Sequence, residues 1–448
     1  MDNTNNKIPK INEKVVGPSQ HGPNMDTFCV APFLHQSTKT DGSIKACCRA
    51  KGRIASVKEF DFKDAEGTTL VDAWNWKKLR DLRLDLYNGI KNDMCKVCWD
   101  HEDANVESMR KTMNSVERSI EAKRRATYAI NNNGFVEEKP TWFEFKLNNN
   151  CNLKCRMCGP VDSSSWFKDH QLIKHIKSNF GETYDEYVKE LGLEDRALLN
   201  LYNKENFWDS IESWIDQGNR FQFAGGEPLY DKDHYRVLET LKNSGKDLSN
   251  VELDYATNLS VLKTKNHNVI DYWRDYKKVT VGFSIDGPPG INEYIRGGSN
   301  IENIRKNVIE IRNNLDNVTL KAKFTAQALN IYYLPELTDW LYELGITYVS
   351  PSYVSFPDHL DARIWPIKAK QEIIEKYENK IDSLGNDRLT AKKILKNVLN
   401  YVKGKDLYTE ERWTRFIQWN KILDKSRNES YNDYKFLERY MNYDNNHR

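Results

Sequence analysis

The run Cys151-Asn152-Leu153-Lys154-Cys155-Arg156-Met157-Cys158 constrains this chain more than any other stretch. Three thiols so close together make an incomplete metal site. A cubane iron–sulfur cluster has four irons and is usually held by four thiolates. Three cysteines on one loop therefore leave one iron without a protein ligand, open to a molecule that brings its own amine and carboxylate. The x3, x2 spacing matches neither the four-cysteine ferredoxin runs nor a zinc knuckle, both of which supply all their own ligands. No fourth Cys or His follows within ten residues. The alternatives are a structural zinc with its fourth ligand from elsewhere, or thiols in a buried turn.

The loop comes directly after a strand-like run, Trp142-Phe143-Glu144-Phe145-Lys146-Leu147. Cys-x3-Cys-x2-Cys in that position resembles the signature loop of the radical S-adenosylmethionine (SAM) superfamily. The resemblance implies that Cys151, Cys155 and Cys158 hold a [4Fe-4S] cluster and that SAM chelates its open iron. It also implies that Met157, standing where the family usually has an aromatic residue, lies against the adenine, for which a thioether side chain is adaptable enough.

A second signature follows, where strand-like Arg220-Phe221-Gln222-Phe223-Ala224 runs into Gly225-Gly226-Glu227-Pro228. Two glycines at a strand end let a backbone approach a ligand closely, and a carboxylate accepts charge-assisted hydrogen bonds from an ammonium. This is similar to the family's Gly-Gly-Glu motif and implies contacts from Gly225, Gly226, Glu227 and Pro228 to the SAM amino group. The run Val279 to Gly287 reads as a buried strand ending in polar residues. The resemblance places its Ser284 and Asp286 near the SAM ribose and carboxylate, with Asn258 at a similar strand end. Each of these three also reads as a strand-terminal cap or Asx turn. Arg296 is a candidate for a carboxylate, against its default reading as a solvent-exposed loop arginine.

Strand-like runs near 142–147, 220–224, 251–256, 279–285, 318–327 and 346–354 alternate with helical stretches such as 231–244, 264–275, 300–315 and 334–344. Such alternation argues for βαβ units and a parallel sheet. The expected fold class is α/β, and six strands rather than eight fit the partial (β/α)6 barrel of the radical SAM family. The resemblance covers about 140–355.

The other cysteines lie upstream: Cys29, then Gly42, Cys47 and Cys48, then Cys95-Lys96-Val97-Cys98. Twelve residues separate Cys29 from Gly42 and four separate Gly42 from Cys47. This pattern is similar to the opening of SPASM and twitch domains, and the short set looks like a twitch domain. The resemblance implies an auxiliary iron–sulfur cluster on Cys29, Cys47, Cys95 and Cys98, with Cys48 as the alternative to Cys47. In the family this domain usually follows the barrel, whereas here it precedes it. Two separated cysteine pairs are also how zinc ribbons are built, so a four-cysteine zinc is the alternative.

The chain has 448 residues, enough for two or three domains. With 67 basic and 65 acidic side chains its formal net charge is +2, and nothing in that balance marks a nucleic-acid or membrane partner. No apolar stretch is long enough for a signal-peptide core or a membrane span. The expected location is the cytoplasm, where thiols stay reduced and the eight cysteines read as metal ligands rather than disulfides.

The expected organisation is a mobile tail over 1–24, a twitch-like domain over 25–103, a helical linker over 104–140, the radical SAM partial barrel over 141–355 with a helical insertion at 159–219, and a helical region over 356–448. Aromatic residues at Trp413, Phe416 and Trp419 share roughly one helix face and read as core packing. The function implied is reductive cleavage of SAM to a 5′-deoxyadenosyl radical, which takes hydrogen from a substrate. Oxidation or cross-linking of a peptide or protein is the expected outcome, with a flavodoxin- or ferredoxin-type reductant. The alternatives are the same chemistry on a sugar-derived small molecule, or a non-catalytic iron–sulfur or zinc scaffold or electron carrier.

Overall fold

The computed structural model describes residues 22–40, 43–54, 73–103, 107–114, 116–160, 162–169, 205–354 and 357–442. Most of the expected tail, residues 1–21, and the middle of the expected insertion, 170–204, lie outside the described residues.

Alternation of large apolar with polar residues, the period-2 signal of a strand, recurs along the chain. The strands formed are β1 (His35–Thr38), β2 (Ile44–Lys45), β3 (Trp142–Lys146), β4 (Lys154–Cys155), β5 (Arg220–Ala224), β6 (Glu252–Thr257), β7 (Lys278–Ser284), β8 (Arg296–Gly297), β9 (Val318–Ala326) and β10 (Val349–Tyr353). The six anticipated strands are β3, β5, β6, β7, β9 and β10. They pair in parallel and in that spatial order. Register follows the aromatic pattern: Phe143 faces Phe221 and Phe145 faces Phe223 across β3 and β5. The rings of Phe143 and Phe221 stack at 5.6 Å.

The helices that return the chain between strands carry their own start signals. Asp231 caps Lys232–Asn243 by accepting from the Asp233 amide, and Asn300 caps Ile301–Asn314 by accepting from Asn303. The second buries Ile301, Ile304, Val308 and Ile311, the 3–4–3 spacing of one helical face. The expected helix at 264–275 shortens to Val269–Trp273 because Thr264 and His267 first close a tight turn and Asn268 then supplies the cap.

The sheet extends beyond the six strands. β1 adds in parallel to the outer side of β3, with His35 facing Trp142, and β2 pairs antiparallel to β1. The cysteine-bearing N-terminal segment is thus hydrogen-bonded into the barrel's own sheet, giving the order β10-β9-β7-β6-β5-β3-β1-β2. Among the described residues no pairing joins β2 to β10, so the sheet is open, parallel except at β2, and not a closed barrel. The linker is two helices, Met109–Met113 and Val116–Asn131, instead of one. Asn114 breaks the run by turning its side chain to the Val30 amide and the Phe28 carbonyl, which fixes the backbone on either side of Cys29.

The C-terminal helices Ile367–Ser383, Leu389–Lys403 and Glu410–Arg427 cover one end of the sheet. Tyr401 stacks on Tyr353 of β10 at 4.1 Å, protecting that edge strand. Trp413 and Phe416 are buried in the main core as expected, while Trp419 belongs to a separate small cluster with Trp166 and Leu423.

Candidate functional site

Parallel strands place their C-terminal ends on one side of a sheet, and short polar turns there face a common space. In this protein that space is a cavity of about 560 Å³ lined by Cys151, Cys155, Met157 and Cys158 from the loop after β3, by Gly225 and Gly226 after β5, by Asn258 after β6, by Ser284 at the end of β7, and by Arg296. Residues more than a hundred positions apart in sequence converge on one volume. Its size suits a small-molecule ligand.

The cysteine loop is held from several sides. β4 pairs antiparallel with β8 and sets Cys155 opposite Arg296. The Trp166 indole donates to the Cys155 carbonyl, and Asn149 donates to the Pro160 carbonyl. Arg156 points away from the cavity into the protein and is fully buried. Its guanidinium stacks on the Tyr294 ring at 3.7 Å and donates to the Tyr294 carbonyl, to Asn420, to Asp424 and to Glu429. A helix some 260 residues downstream therefore anchors the residue between Cys155 and Met157. Arg427 on the same helix pairs with buried Asp169 and lies over Trp166.

Burial pushes the Cys151 thiol up to about 12, although its sulfur accepts from the Leu153 amide at 3.4 Å. Cys155 is held below the ordinary thiol range, first by a hydrogen bond with Cys158 and then by the Arg296 guanidinium, while Cys158 is pushed up as its partner. The thiolate is the ligating form, so Arg296 favours the charge state a metal needs.

The default reading of Arg296 as an exposed loop residue is overturned. Its side chain is 12% exposed and is gripped by Asp286 at 2.7 Å, leaving its buried Nε without a hydrogen-bond partner. Asp286 itself is 1% exposed, accepts also from the Thr325 amide, and is absent from the cavity wall. It orients Arg296.

Glu227 ties two strand ends together. Its carboxylate is buried behind the wall and accepts from the Thr257 hydroxyl, the Asn258 amide and the Leu229 amide. It therefore locks the ends of β5 and β6 together. Pro228, itself buried, starts the turn Pro228–Tyr230 and also lies off the wall. A side chain on Gly226 would meet the backbone of Asn149 and Asn150, with the Asn150 carbonyl 2.3 Å from its Cβ. The close approach this glycine permits is thus to the cysteine loop, from a position on the cavity wall.

The upstream cysteines form a second grouping. Cys29 lies within electrostatic reach of Cys95 and Cys98, and Cys47 within reach of Cys29 and Cys98. Burial raises Cys29 and Cys95 to about 12. Cys48 lies within electrostatic reach of Glu144, Lys146 and Lys39 as well as of Cys47. Arg110 closes this region, with its guanidinium 5.2 Å from the Trp99 ring and hydrogen bonds to Glu102 and to the Phe28 carbonyl. Among the described residues no three His, Cys, Asp or Glu side chains are drawn together tightly enough for one metal ion.

Sequence reasoning missed Arg156, Asp424, Glu429 and Trp166, whose roles depend on tertiary contacts with no local pattern. It also missed the cavity-lining cations Lys39, Lys45, Arg53 and Lys146. A charge run in a turn carries no signal until its neighbours are known.

Residues 145–344 match the Radical SAM superfamily. No curated protein sequence matches the chain. Among solved structures, the chain is similar to native anSMEcpe with bound AdoMet at 13% identity and a TM-score of 0.34, covering 56% of this chain and 62% of that one. It is similar also to Streptococcus suis SuiB bound to S-adenosylmethionine, at 14% identity and 0.33, covering 71% and 64%. SuiB bound to its precursor peptide SuiA aligns at 13% identity and 0.32, covering 82% and 66%. The chain spans less than two thirds of the length of each of these structures. The matched residues 145–344 include the three-cysteine loop, the glycine turn and the strand ends around the cavity, so the part of the chain that builds the cavity is the part similar to the Radical SAM superfamily.

Proposed function

We propose that the protein is an enzyme that binds a [4Fe-4S] cluster through Cys151, Cys155 and Cys158, binds SAM beside it, and uses the pair to remove hydrogen from a peptide or protein substrate. The observation that carries this reading is the convergence of the three thiols, Met157, Gly225, Gly226, Asn258, Ser284 and Arg296 on one cavity. The donor set fits the group: three sulfurs on one loop beside a buried cation that favours thiolate, with space next to them for a ligand of SAM's size. When bound, the cluster and SAM supply an electron that breaks the sulfur–C5′ bond and a 5′-deoxyadenosyl radical that takes a hydrogen atom.

The chain's own residues bind and orient. Arg296, with its orphan Nε, offers charge to a carboxylate, and Asp286 fixes its direction. Asn258 donates to Asn152 at 2.9 Å and lies 4.0 Å from the Cys151 sulfur, which keeps the loop and the β6 end in step. Met157 provides an apolar surface for a ring. Glu227 ties the ends of β5 and β6 together and so holds the Gly225–Gly226 turn in place for the ammonium. Cys29, Cys47, Cys95 and Cys98 are proposed to carry an auxiliary iron–sulfur cluster, Cys47 being preferred to Cys48 because it faces the other three. No described helix is long and apolar enough to cross a membrane.

The test is anaerobic reconstitution with iron and sulfide, reduction by dithionite and addition of SAM. The wild type is expected to release 5′-deoxyadenosine and methionine, and Cys155→Ala to release none. Absence of 5′-deoxyadenosine from wild type with a loaded, reducible cluster would favour the non-catalytic scaffold.

A further inference from the structure

Two turns carry the SAM reading of the cavity, the cysteine loop after β3 and the glycine turn after β5, and they are tied together behind the wall. Asn148 stands at the start of the first. Its carbonyl accepts from the Gly226 amide at 3.0 Å, and the Asn150 carbonyl accepts from the Glu227 amide at 2.7 Å. The Asn148 side-chain oxygen accepts from the Asn150 amide at 2.7 Å, which shapes the backbone entering Cys151. Its side-chain nitrogen donates to Asp231 at 2.8 Å and, at a longer 3.4 Å, to Asp233. Asn148 and Asp231 are absent from the wall of the SAM cavity and share a small space behind it with Gly226 and His234.

Asp231 uses its two oxygens for two tasks. Oδ1 accepts from the Asp233 amide at 3.2 Å and caps the helix Lys232–Asn243, while Oδ2 takes the Asn148 side-chain amide. Capping alone does not require a charge, since Asn caps as well as Asp, and Asn268 and Asn300 cap two other helices of this fold. The charge is also held against resistance. Asp231 is 5% exposed; burial pushes it up to about 6, the Asn148 bond opposes the rise, and the Asp233 carboxylate adds to it. A buried carboxylate that stays ionised at neutral pH needs a hydrogen-bonding partner, and Asn148 meets the oxygen that the cap does not use. The glycine turn is thus gripped from two sides, by Glu227 toward β6 and by the Asp231–Asn148 bond toward the cysteine loop.

We propose that Asp231 is a positioning residue for SAM cleavage: acting through Asn148, it fixes the glycine turn against the cysteine loop and so sets where the SAM ammonium is held relative to the iron left open by Cys151, Cys155 and Cys158. The proposal rests on the SAM reading of the cavity and adds to it a residue that touches neither SAM nor the cluster. It also gives the helix Lys232–Asn243 a task besides returning the chain. That helix buries Tyr235, Val237, Leu238 and Leu241, so its first residues are fixed by the core and carry that fixed position to the two turns.

The experiment uses the full chain, anaerobically reconstituted with iron and sulfide. SAM binding is titrated by calorimetry, alongside iron content, melting temperature and the electron paramagnetic resonance spectrum of the reduced cluster with and without SAM. Asp231→Asn keeps an oxygen for the cap but sets an amide donor against the Asn148 amide. It is expected to keep wild-type iron and nearly the wild-type melting temperature, to weaken SAM binding by about tenfold or more, and to reduce the spectral change that SAM produces. Asp231→Asn/Asn148→Asp exchanges donor and acceptor and is expected to restore both binding and spectrum, a rescue that loss of helix capping does not predict. Should Asp231→Asn lose its iron, Asp231→Ser, which also caps and sets no amide against Asn148, carries the comparison. The proposal is overturned if the single variants bind SAM as wild type does, or if the exchange variant binds no better than Asp231→Asn. The SAM reading fails on a different measurement, absence of 5′-deoxyadenosine from wild type with a loaded, reducible cluster, so the two failures are told apart.

Discussion

Replacing Asp424 by leucine should loosen the cysteine loop from a distance, because this carboxylate holds three donors at once. It accepts from the fully buried Arg156 guanidinium, from the Tyr294 hydroxyl at 3.0 Å and from the Tyr431 amide at 2.8 Å. Removing one partner of a buried ion pair costs about 3–5 kcal/mol, and each stranded buried donor adds about 1–3 kcal/mol. Arg156 keeps Glu429 at 2.7 Å and the Tyr294 carbonyl at 2.8 Å, which offsets part of that loss. A net cost on the order of 4 kcal/mol follows, which lowers the melting temperature by roughly 8–16 °C at about 2–4 °C per kcal/mol. The assay is thermal unfolding of the apo protein by circular dichroism, paired with iron content after anaerobic reconstitution. Both should fall. Arg156→Met combined with Asp424→Leu should cost less than the sum of the single changes, since no charge is then left buried alone. A melting temperature within a degree of wild type, with full iron loading, would refute the anchoring argument.

Gly226→Val should lower iron content as well as SAM binding, because the added side chain strikes the Asn149–Asn150 backbone just before Cys151; unchanged iron with weakened SAM binding would return the glycine to direct ligand contact. Changing Cys151, Cys155 and Cys158 together to alanine should leave about four iron atoms per chain on the upstream cysteines, and zinc there instead, in protein from iron-replete cells, would sink the auxiliary-cluster proposal. Changing Cys95 and Cys98 to serine should keep 5′-deoxyadenosine formation and abolish substrate turnover, tested by product analysis once a substrate is in hand. Buried His234, hydrogen-bonded to the Tyr255 hydroxyl at 2.9 Å, is drawn from 6.5 to about 3 by desolvation. It stays neutral in the fold, so its contribution is full above pH 6.5 and is lost as pH falls toward 3, at about 1.4 kcal/mol per unit; His234→Phe should flatten the decline in stability between pH 6 and 4, and an unaltered slope would exclude this source.

The strands of the sheet were legible because each is a short run whose apolar period is set by the pleat, and the cysteine and glycine turns because their chemistry is local. What lay beyond the sequence was direction. Glu227 and Asp286 stand in motif positions, yet their carboxylates turn into the protein to hold Thr257, Asn258 and Arg296. Arg296, without a motif, faces the cavity. Nothing in the letters around Arg156 says that it reaches a helix near the C-terminus. The pairing of β1 with β3 was hidden for a related reason: His35–Thr38 is four residues long, and its partner begins over a hundred residues later.

That pairing has a consequence for how the molecule is made. β1 leaves the ribosome early, but its hydrogen-bonding partner at Trp142 emerges only after roughly a hundred more residues, about 5–20 s at ordinary rates of synthesis. Throughout that interval Cys29 and Cys47 flank an unsatisfied strand. The upstream thiols therefore reach their final positions only once β3 has been translated, and the cluster proposed for them would be loaded after that strand has emerged, not before it.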